Sequence, residues 1–185
     1  MGAALKLDNI HYTYEDYKHW EGDWELIEGM PIAMSPSPMK RHQVIASEIN
    51  RQIANQLIDN CPMCEVLPEF DYKISEDTIV RPDIVLTCNE TNERYLTKAP
   101  EIIVEIVSKS TALRDEKYKF ALYEREKVKY YVLVYPNSLF AKVYKLNNNG
   151  YEKEGDFSNE SYSFDETTCK VSLDFKRVFE RFRVK

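Results

Sequence analysis

Two carboxylates stand in strand-like, otherwise apolar runs. Glu105 interrupts the run 102–107, and Asp83 heads the apolar run 84–86. A buried carboxylate must be paired, protonated or metal-bound to avoid a cost of several kcal/mol. Two acids on adjacent strands could converge on one divalent cation, since Mg²⁺ is typically held by one or two carboxylates with waters and substrate phosphate. The structural alternative is that Asp83 caps a strand or pairs with Arg81, and that Glu105 pairs with a lysine.

A third candidate group lies on a predicted helix that follows the strand of Glu105. Asp115, Lys119 and Tyr123 are spaced at i, i+4 and i+8 and therefore share one helix face. An ammonium beside a metal-bound water could help to deprotonate that water or stabilise charge that builds on a phosphate. The alternative is a solvated surface pair, which this spacing also favours.

The elements that must position these side chains follow from hydrophobic periodicity. Residues 24–34 predict two short strands around a Gly29 turn, and Ser35–Pro38 then break the chain. Apolar residues every fourth position predict an amphipathic helix over 40–60. Further strands are predicted at 65–67, 70–74, 79–86, 101–107, 128–135, 140–146 and 168–173, with a helix over 115–127 and an amphipathic tail over 175–182.

The order of these elements predicts the fold class. The passage of strand, helix and strand over 101–135 calls for a right-handed crossover and hence a parallel strand pair. We therefore predict an α/β (mixed α+β) fold, with a mixed sheet flanked by helices. The 185 residues, of which 43% are hydrophobic, favour one domain over 1–185.

Composition also bears on location and partners. Apolar runs are far shorter than the roughly 20 residues that span a bilayer, and the first residues do not resemble an export signal, which predicts a cytoplasmic protein. A net charge of −6 argues against a nucleic-acid partner. The segment 109–129, however, holds seven basic and four acidic residues, a local charge of +3. We therefore expect weak, metal-assisted and salt-sensitive DNA binding.

The chain has four cysteines, Cys61, Cys64, Cys88 and Cys169. Cys61 and Cys64 form one CxxC, but a zinc site needs a second pair of ligands, and the three histidines lie upstream without suitable spacing. A redox motif would open a helix after a strand, whereas this one closes a helical segment. The sequence thus favours ordinary thiols near a turn.

The ordered series of motifs resembles the Uma-type putative restriction endonuclease family of the PD-(D/E)xK nuclease superfamily. The resemblance covers nearly the whole chain and is looser over 150–179. It rests on Pro82-Asp83, Val104 to Thr111 with Glu105, Asp115, Lys119, Tyr123, Glu25 to Gly29, Ser35-Pro36, His42-Gln43 and Tyr131 to Val134.

This resemblance implies a restriction-endonuclease-like core and a Mg²⁺- or Mn²⁺-dependent endonuclease acting on DNA. Asp83 and Glu105 would bind the metal. The superfamily's usual lysine position holds Val107 here, so Lys119 would be a migrated lysine, with Lys109 as a weaker alternative.

The resemblance also bears on two more residues, on the oligomeric state and on the alternative functions. Glu25 and His42 would approach the site, although His42 could instead pack against the core. A homodimer is expected because an enzyme that cuts both strands of a duplex needs a site on each strand. A nuclease fold that no longer cuts and serves as a binding or assembly module is the alternative function, and RNA or a small phosphodiester is an alternative substrate.

Overall fold

The computed structural model describes residues 10–34, 39–58 and 60–183, so the predicted break at Ser35–Pro38 and the Ser35-Pro36 motif lie outside the described residues. The helices are α1 (Tyr14–Tyr17), α2 (Lys40–Leu57), a π-helical turn (Arg114–Lys119) continuing into α3 (Phe120–Arg125), α4 (Phe175–Phe179) and a final 3₁₀ turn (Glu180–Phe182). The strands are β1 (Trp24–Ile27), β2 (Met30–Ala33), β3 (Cys64–Pro68), β4 (Tyr72–Ser75), β5 (Thr78–Val80), β6 (Ile84–Cys88), β7 (Ile102–Ile106), β8 (Tyr130–Tyr135), β9 (Phe140–Asn147), β10 (Gly150–Phe157), β11 (Ser161–Phe164) and β12 (Val171–Asp174).

A mixed six-stranded sheet forms the centre of the fold, in the order β10-β9-β8-β7-β6-β3. Strands β7 and β8 are parallel, with Ile102 opposite Tyr130, and the π-helical turn and α3 make the crossover between them. The other neighbours in this sheet are antiparallel. The predicted crossover and mixed sheet are therefore confirmed.

Helix α2 covers one face of the central sheet. The four apolar residues that recur every fourth position are buried, as the predicted stripe requires: Ile45, Ile49, Ile53 and Leu57. They pack in one core cluster with side chains of β6 and β7, such as Leu86 and Val104. Each buried aliphatic side chain of this kind contributes roughly 1.5–3 kcal/mol, so α2 is held by its packed face.

A second sheet, in the order β2-β1-β5-β4, stands beside the first. The hairpin of β1 and β2 turns at Gly29, whose φ of +77° suits glycine. Strand β1 then pairs with β5 through Leu26 and Ile79. This sheet delivers Glu25 to the site described below. Within the described residues, no helix has the length and apolar character needed to cross a membrane.

The strand predicted over 79–86 is wrong in one respect. The structure divides it into β5 and β6, which belong to different sheets, with Arg81, Pro82 and Asp83 between them. Pro82 has no backbone N–H and a fixed φ, so it cannot continue a central ladder. The break leaves Asp83 at the head of β6.

Three elements were not predicted: α1, β10 and β11. Strand β10 carries Glu152, Lys153 and Glu154 in succession, and all three are exposed. It lies at the edge of its sheet, where charged side chains are common because they discourage further pairing. The polar run hides its strand character from hydrophobic periodicity.

Candidate active site

Four carboxylates gather where the two sheets and the π-helical turn meet, and we call them the acid cluster: Glu25, Asp83, Glu105 and Asp115. Glu25 lies in β1, Glu105 in β7 and Asp115 in the π-helical turn, and each is at most 4% exposed. Asp83, before β6, is half-buried. Carboxylates are seldom buried without partners, so the groups around them decide what the cluster can do.

Strand register brings Asp83 and Glu105 together. Strands β6 and β7 are antiparallel with Ile84 opposite Val104, so the next residues along this ladder, Asp83 and Glu105, are opposite each other and share a face. The backbone N–H of Ile106 donates to Asp83 Oδ2 at 2.6 Å. The sheet itself therefore holds the carboxylate of Asp83 at the end of β7.

Lys119 is the cation at the centre of the cluster. Its Nζ lies 2.8 Å from Glu105 Oε1 and 2.7 Å from Glu25 Oε1, and the side chain is only 2% exposed. The hydroxyl of Tyr123 donates to the same oxygen of Glu105 at 3.0 Å. The face shared by Asp115, Lys119 and Tyr123 is thus turned inward, and the solvated surface pair does not occur.

A π-helical turn places Asp115 and Lys119 on this inward face. The hydroxyl of Tyr131 donates to the backbone carbonyl of Asp115 at 3.0 Å, which fixes the turn against β8. Single π-helical turns are rare and often occur at functional sites because they redirect side chains within a helix. Here the turn sets two charged residues against the sheet.

Glu25 contributes one engaged and one unengaged oxygen. Oε1 accepts from the backbone N–H of Arg81 at 3.0 Å in addition to contacting Lys119. Oε2 lies 3.4 Å from the guanidinium of Arg114, and it has no hydrogen-bond partner among the described residues. A buried, unsatisfied carboxylate oxygen is costly and marks the position of a potential ligand atom.

The pKa values of these groups reflect burial and an excess of negative charge. Burial raises the pKa of Glu105 well above its usual range, Lys119 opposes the rise, and Asp115 and Asp83 add to it. Burial likewise raises the pKa of Asp115 against the opposing charge of Lys119. Burial alone would lower the pKa of Lys119, but the negative charges of Glu105 and Glu25 outweigh burial and raise it. The ammonium therefore stays charged.

His42 reaches the cluster from the first turn of α2. Its Nε2 lies 3.2 Å from Asp83 Oδ2, while Nδ1 is buried without a hydrogen-bond partner among the described residues. Burial lowers the pKa of His42, but the hydrogen bond to Asp83 and the charge of that carboxylate outweigh it, so the pKa is raised. His42 is therefore a partner of Asp83 and orients its carboxylate.

The charge balance of the cluster favours a cation. Its four carboxylates face two permanent cations, Lys119 and Arg114, which leaves negative charge in excess. Oxygen ligands suit Mg²⁺ and Mn²⁺, and the unsatisfied Oε2 of Glu25 adds a further oxygen. Asp83 and Glu105 would hold such an ion, because they face each other on adjacent strands.

The structure also shows which protein groups pair with Glu105 and Asp83. Glu105 does pair with a lysine, Lys119. The guanidinium of Arg81 instead pairs with Asp71 at 2.7 Å and Asp23 at 2.8 Å, and the partners of Asp83 are His42 and the backbone of β7. Asp83 thus caps the end of β7, as one of the two alternatives held, and does not pair with Arg81.

The basic residues of the segment 109–129 differ in their surroundings. Lys109 is exposed on the loop after β7, in contrast to buried Lys119. The local charge of +3 over 109–129 counts Lys119 and Arg114, whose charges face Glu25. The role of Arg114 was missed because nothing in its spacing distinguishes it from neighbouring basic residues. The positive charge that this segment presents at the protein surface is therefore smaller than the +3 counted from its sequence.

Known proteins resemble this chain in sequence and in fold. The family model described as "Uma2: Putative restriction endonuclease" matches residues 14–174. Among solved structures, the fold is similar to that of "a putative nuclease belonging to DUF820 from Anabaena variabilis ATCC 29413", with a TM-score of 0.72 and 18% identity, covering 91% of this chain and 97% of that chain. No curated protein matches.

The structural likeness confirms the expected fold class, a mixed α+β fold with a restriction-endonuclease-like core. The family match spans every member of the acid cluster together with Lys119 and His42. The chain therefore belongs to the Uma2 family, whose members are described as putative restriction endonucleases.

Proposed function

We propose that this protein is a Mg²⁺- or Mn²⁺-dependent endonuclease that hydrolyses DNA phosphodiester bonds. The observation that carries the proposal is the acid cluster, in which Asp83 and Glu105 face each other beside a buried ammonium. Membership of a family described as putative restriction endonucleases supports DNA as the substrate. Buried groups with strongly raised pKa values occur preferentially at functional sites.

Each residue has a distinct part in this proposal. Asp83 and Glu105 hold the metal ion, which when bound supplies a more acidic water and offsets charge on the scissile phosphate. Lys119 holds Glu105 and Glu25 in position through its contacts at 2.8 and 2.7 Å. His42 orients Asp83 through a contact at 3.2 Å, as the partners of metal ligands commonly do.

The setting in which the enzyme would act follows from the same proposal. We place it in the cytoplasm, where its DNA substrate is, and we propose a homodimer because one site on each strand permits cleavage of a duplex. Its affinity for DNA without metal is low, since the net charge is −6 and two cations of the 109–129 segment face Glu25.

Cleavage of a supercoiled plasmid tests the proposed activity. The wild-type protein is expected to produce nicked or linear plasmid with Mg²⁺ or Mn²⁺ and no product with a chelator, because the acid cluster needs a cation to offset its charge. Labelled RNA of matched length, run in parallel, distinguishes the two nucleic-acid substrates. Metal binding without cleavage of either would favour the alternative of a nuclease fold that serves as a binding or assembly module.

Binding of the metal is expected to release protons and to strengthen as pH rises. The raised pKa values of Glu105 and Asp115 mean that the metal-free cluster retains protons above the ordinary carboxyl pKa near 4.5 and 3.8. These two groups therefore stabilise the metal-free fold at low pH, and this contribution is lost as pH rises through their raised values. A metal ion binds only the ionised carboxylates, so the affinity of the cluster for metal increases as pH rises.

Calorimetry provides the measurement for this pH dependence. Titration of Mn²⁺ at about pH 6 and about pH 8, in buffers that differ in ionisation enthalpy, reports both affinity and protons released. Tighter binding at the higher pH with proton release is expected. Equal affinity at both pH values without proton release would show that the titrating carboxylates are not the ligands.

A further inference from the structure

All four cysteines of the chain meet at one place, far from the acid cluster along β6 and β7. The sulfurs of Cys61, Cys64 and Cys169 lie within 4.8 Å of one another. The sulfur of Cys64 contacts that of Cys88 and also lies 3.4 Å from that of Cys169. The sequence alone favours ordinary thiols because its one CxxC lacks a second pair of ligands, and the fold supplies that pair.

Backbone contacts bring the four residues together independently of their sulfurs. Cys64 and Cys88 are register partners in the β3–β6 ladder. The N–H of Cys64 donates to the carbonyl of Cys61 at 3.1 Å, which closes the CxxC turn, and the N–H of Asn89 donates to the carbonyl of Met63 at 2.7 Å. The CxxC turn and the end of β6 are thus held side by side.

Cys169 is brought to the same place by its own loop. The backbone N–H and the hydroxyl of Thr168 both donate to the carboxylate of Glu101, each at 2.7 Å. The hydroxyl of Thr167 donates to the carbonyl of Cys169 at 3.0 Å. The loop before β12 is therefore fixed against the start of β7, so that a residue 108 positions after Cys61 lies beside it.

We propose that Cys61, Cys64, Cys88 and Cys169 bind a structural Zn²⁺ ion. Four thiolates are a common ligand set for structural zinc, and a CxxC spacing supplies two of them. Sulfurs about 2.3 Å from zinc in a tetrahedron lie about 3.8 Å apart, which is close to the 3.4 Å between Cys64 and Cys169. Binding converts the thiols to thiolates, and their protons pass to solvent.

Contacts across the two sulfur pairs favour this site over two separate disulfides. The structure joins Cys61 with Cys169 and Cys64 with Cys88, so two disulfides are the competing arrangement. Two disulfides do not require the sulfurs of Cys61, Cys64 and Cys169 to lie within 4.8 Å of one another, whereas a shared metal ion does. Cys88 joins this group through its contact with Cys64. The carboxylate of Glu101 lies 3.6 Å from the sulfur of Cys88. The ammonium of Lys129, 3.0 Å from Glu101, offsets the negative charge of that carboxylate.

Strands β11 and β12 pair as an antiparallel hairpin, and the zinc ion would tie this hairpin to the central sheet. Cys169 precedes β12, while Cys64 and Cys88 lie at the facing ends of β3 and β6. The site is therefore structural: four protein ligands leave no open position for a substrate. Its loss should loosen the C-terminal hairpin before the acid cluster is affected.

Metal analysis of the full-length protein, purified without chelator, tests the proposal. About one zinc ion per chain is expected, retained through dialysis and released by a mercurial reagent as the four thiols react. Cobalt substituted for zinc should show thiolate-to-metal charge-transfer bands and the visible bands of a tetrahedral site, a readout that needs no variant and no nuclease activity.

Variants sharpen the test. Cys88→Ser and Cys169→Ser should each lower the bound zinc to near zero and increase protease cleavage within 158–183, whereas Ser163→Ala, an exposed change in the same hairpin, should leave the zinc content unchanged. Four reactive thiols without metal would overturn the proposal. So would a mass four hydrogens lower without zinc, which indicates two disulfides, or iron in place of zinc.

Discussion

Replacing Asp83 with asparagine is expected to lower the rate of Mg²⁺- or Mn²⁺-dependent DNA cleavage by a factor on the order of 100 or more. A catalytic metal contributes several kcal/mol of transition-state stabilisation, and each 1.4 kcal/mol corresponds to a factor of about ten. Asparagine has nearly the same shape, and its side-chain oxygen can still accept the hydrogen bond that Ile106 donates at 2.6 Å. The fold should therefore survive while the charge that holds the cation is lost.

Plasmid cleavage and Mn²⁺ titration of Asp83→Asn supply the measurement. The matched control is Glu65→Gln, which removes an exposed carboxylate from β3 of the same sheet and should leave both activity and metal affinity unchanged. Thermal melting establishes that both variants fold. Full activity in Asp83→Asn would remove Asp83 from the metal site, and equal losses in both variants would point to a general effect of charge.

Replacing Lys119 with methionine is expected to destabilise the metal-free protein by about 3–5 kcal/mol, the usual cost of removing one partner from a buried ion pair. Glu25 and Glu105 would then lie buried without the ammonium that is within 2.8 Å of each. For a chain of this length the melting temperature should fall by an amount on the order of 10 °C. Added Mn²⁺ should restore more stability than in the wild type, because a cation can take the place of the ammonium charge.

Two control variants separate this effect from simple loss of a lysine. Lys117→Met changes an exposed residue of the same π-helical turn and should alter stability little. The double variant Glu25→Gln with Lys119→Met should recover part of the lost stability, since it removes one of the two unpaired charges. If Lys119→Met melts like the wild type with and without Mn²⁺, the ammonium does not hold the acid cluster together.

Local patterns were sufficient to predict much of the fold. The four-residue spacing of Ile45, Ile49, Ile53 and Leu57 predicted α2, because burial of a helix face depends on spacing within one segment. The apolar strand around Glu105 and the following helix predicted the parallel crossover. Strand β10 was not predicted because its exposed charged residues leave no apolar face to recognise. The division of 79–86 at Pro82 was not predicted because it depends on which sheet each half joins.

The site was less accessible from sequence than the fold. A carboxylate in an apolar strand and a resemblance to a nuclease family singled out Glu105, Asp83 and Lys119. The contact between Lys119 and Glu25, however, joins residues from two sheets and a π-helical turn, and no local pattern encodes such packing. The same reason explains why four cysteines spread from 61 to 169 gave no sign that they meet.

Division of the acid cluster between the two sheets has a consequence for when its charges come together during folding. Glu25 comes from the small sheet, Glu105 from the large one, and Lys119 from the crossover between strands of the large sheet. Neither sheet alone carries the full set of charges, so Lys119 has both of its carboxylate partners only when the two sheets are packed together. Local separation of the small sheet would leave the ammonium of Lys119 with Glu105 as its remaining carboxylate partner, so the charge balance of the acid cluster depends on the native packing of the two sheets.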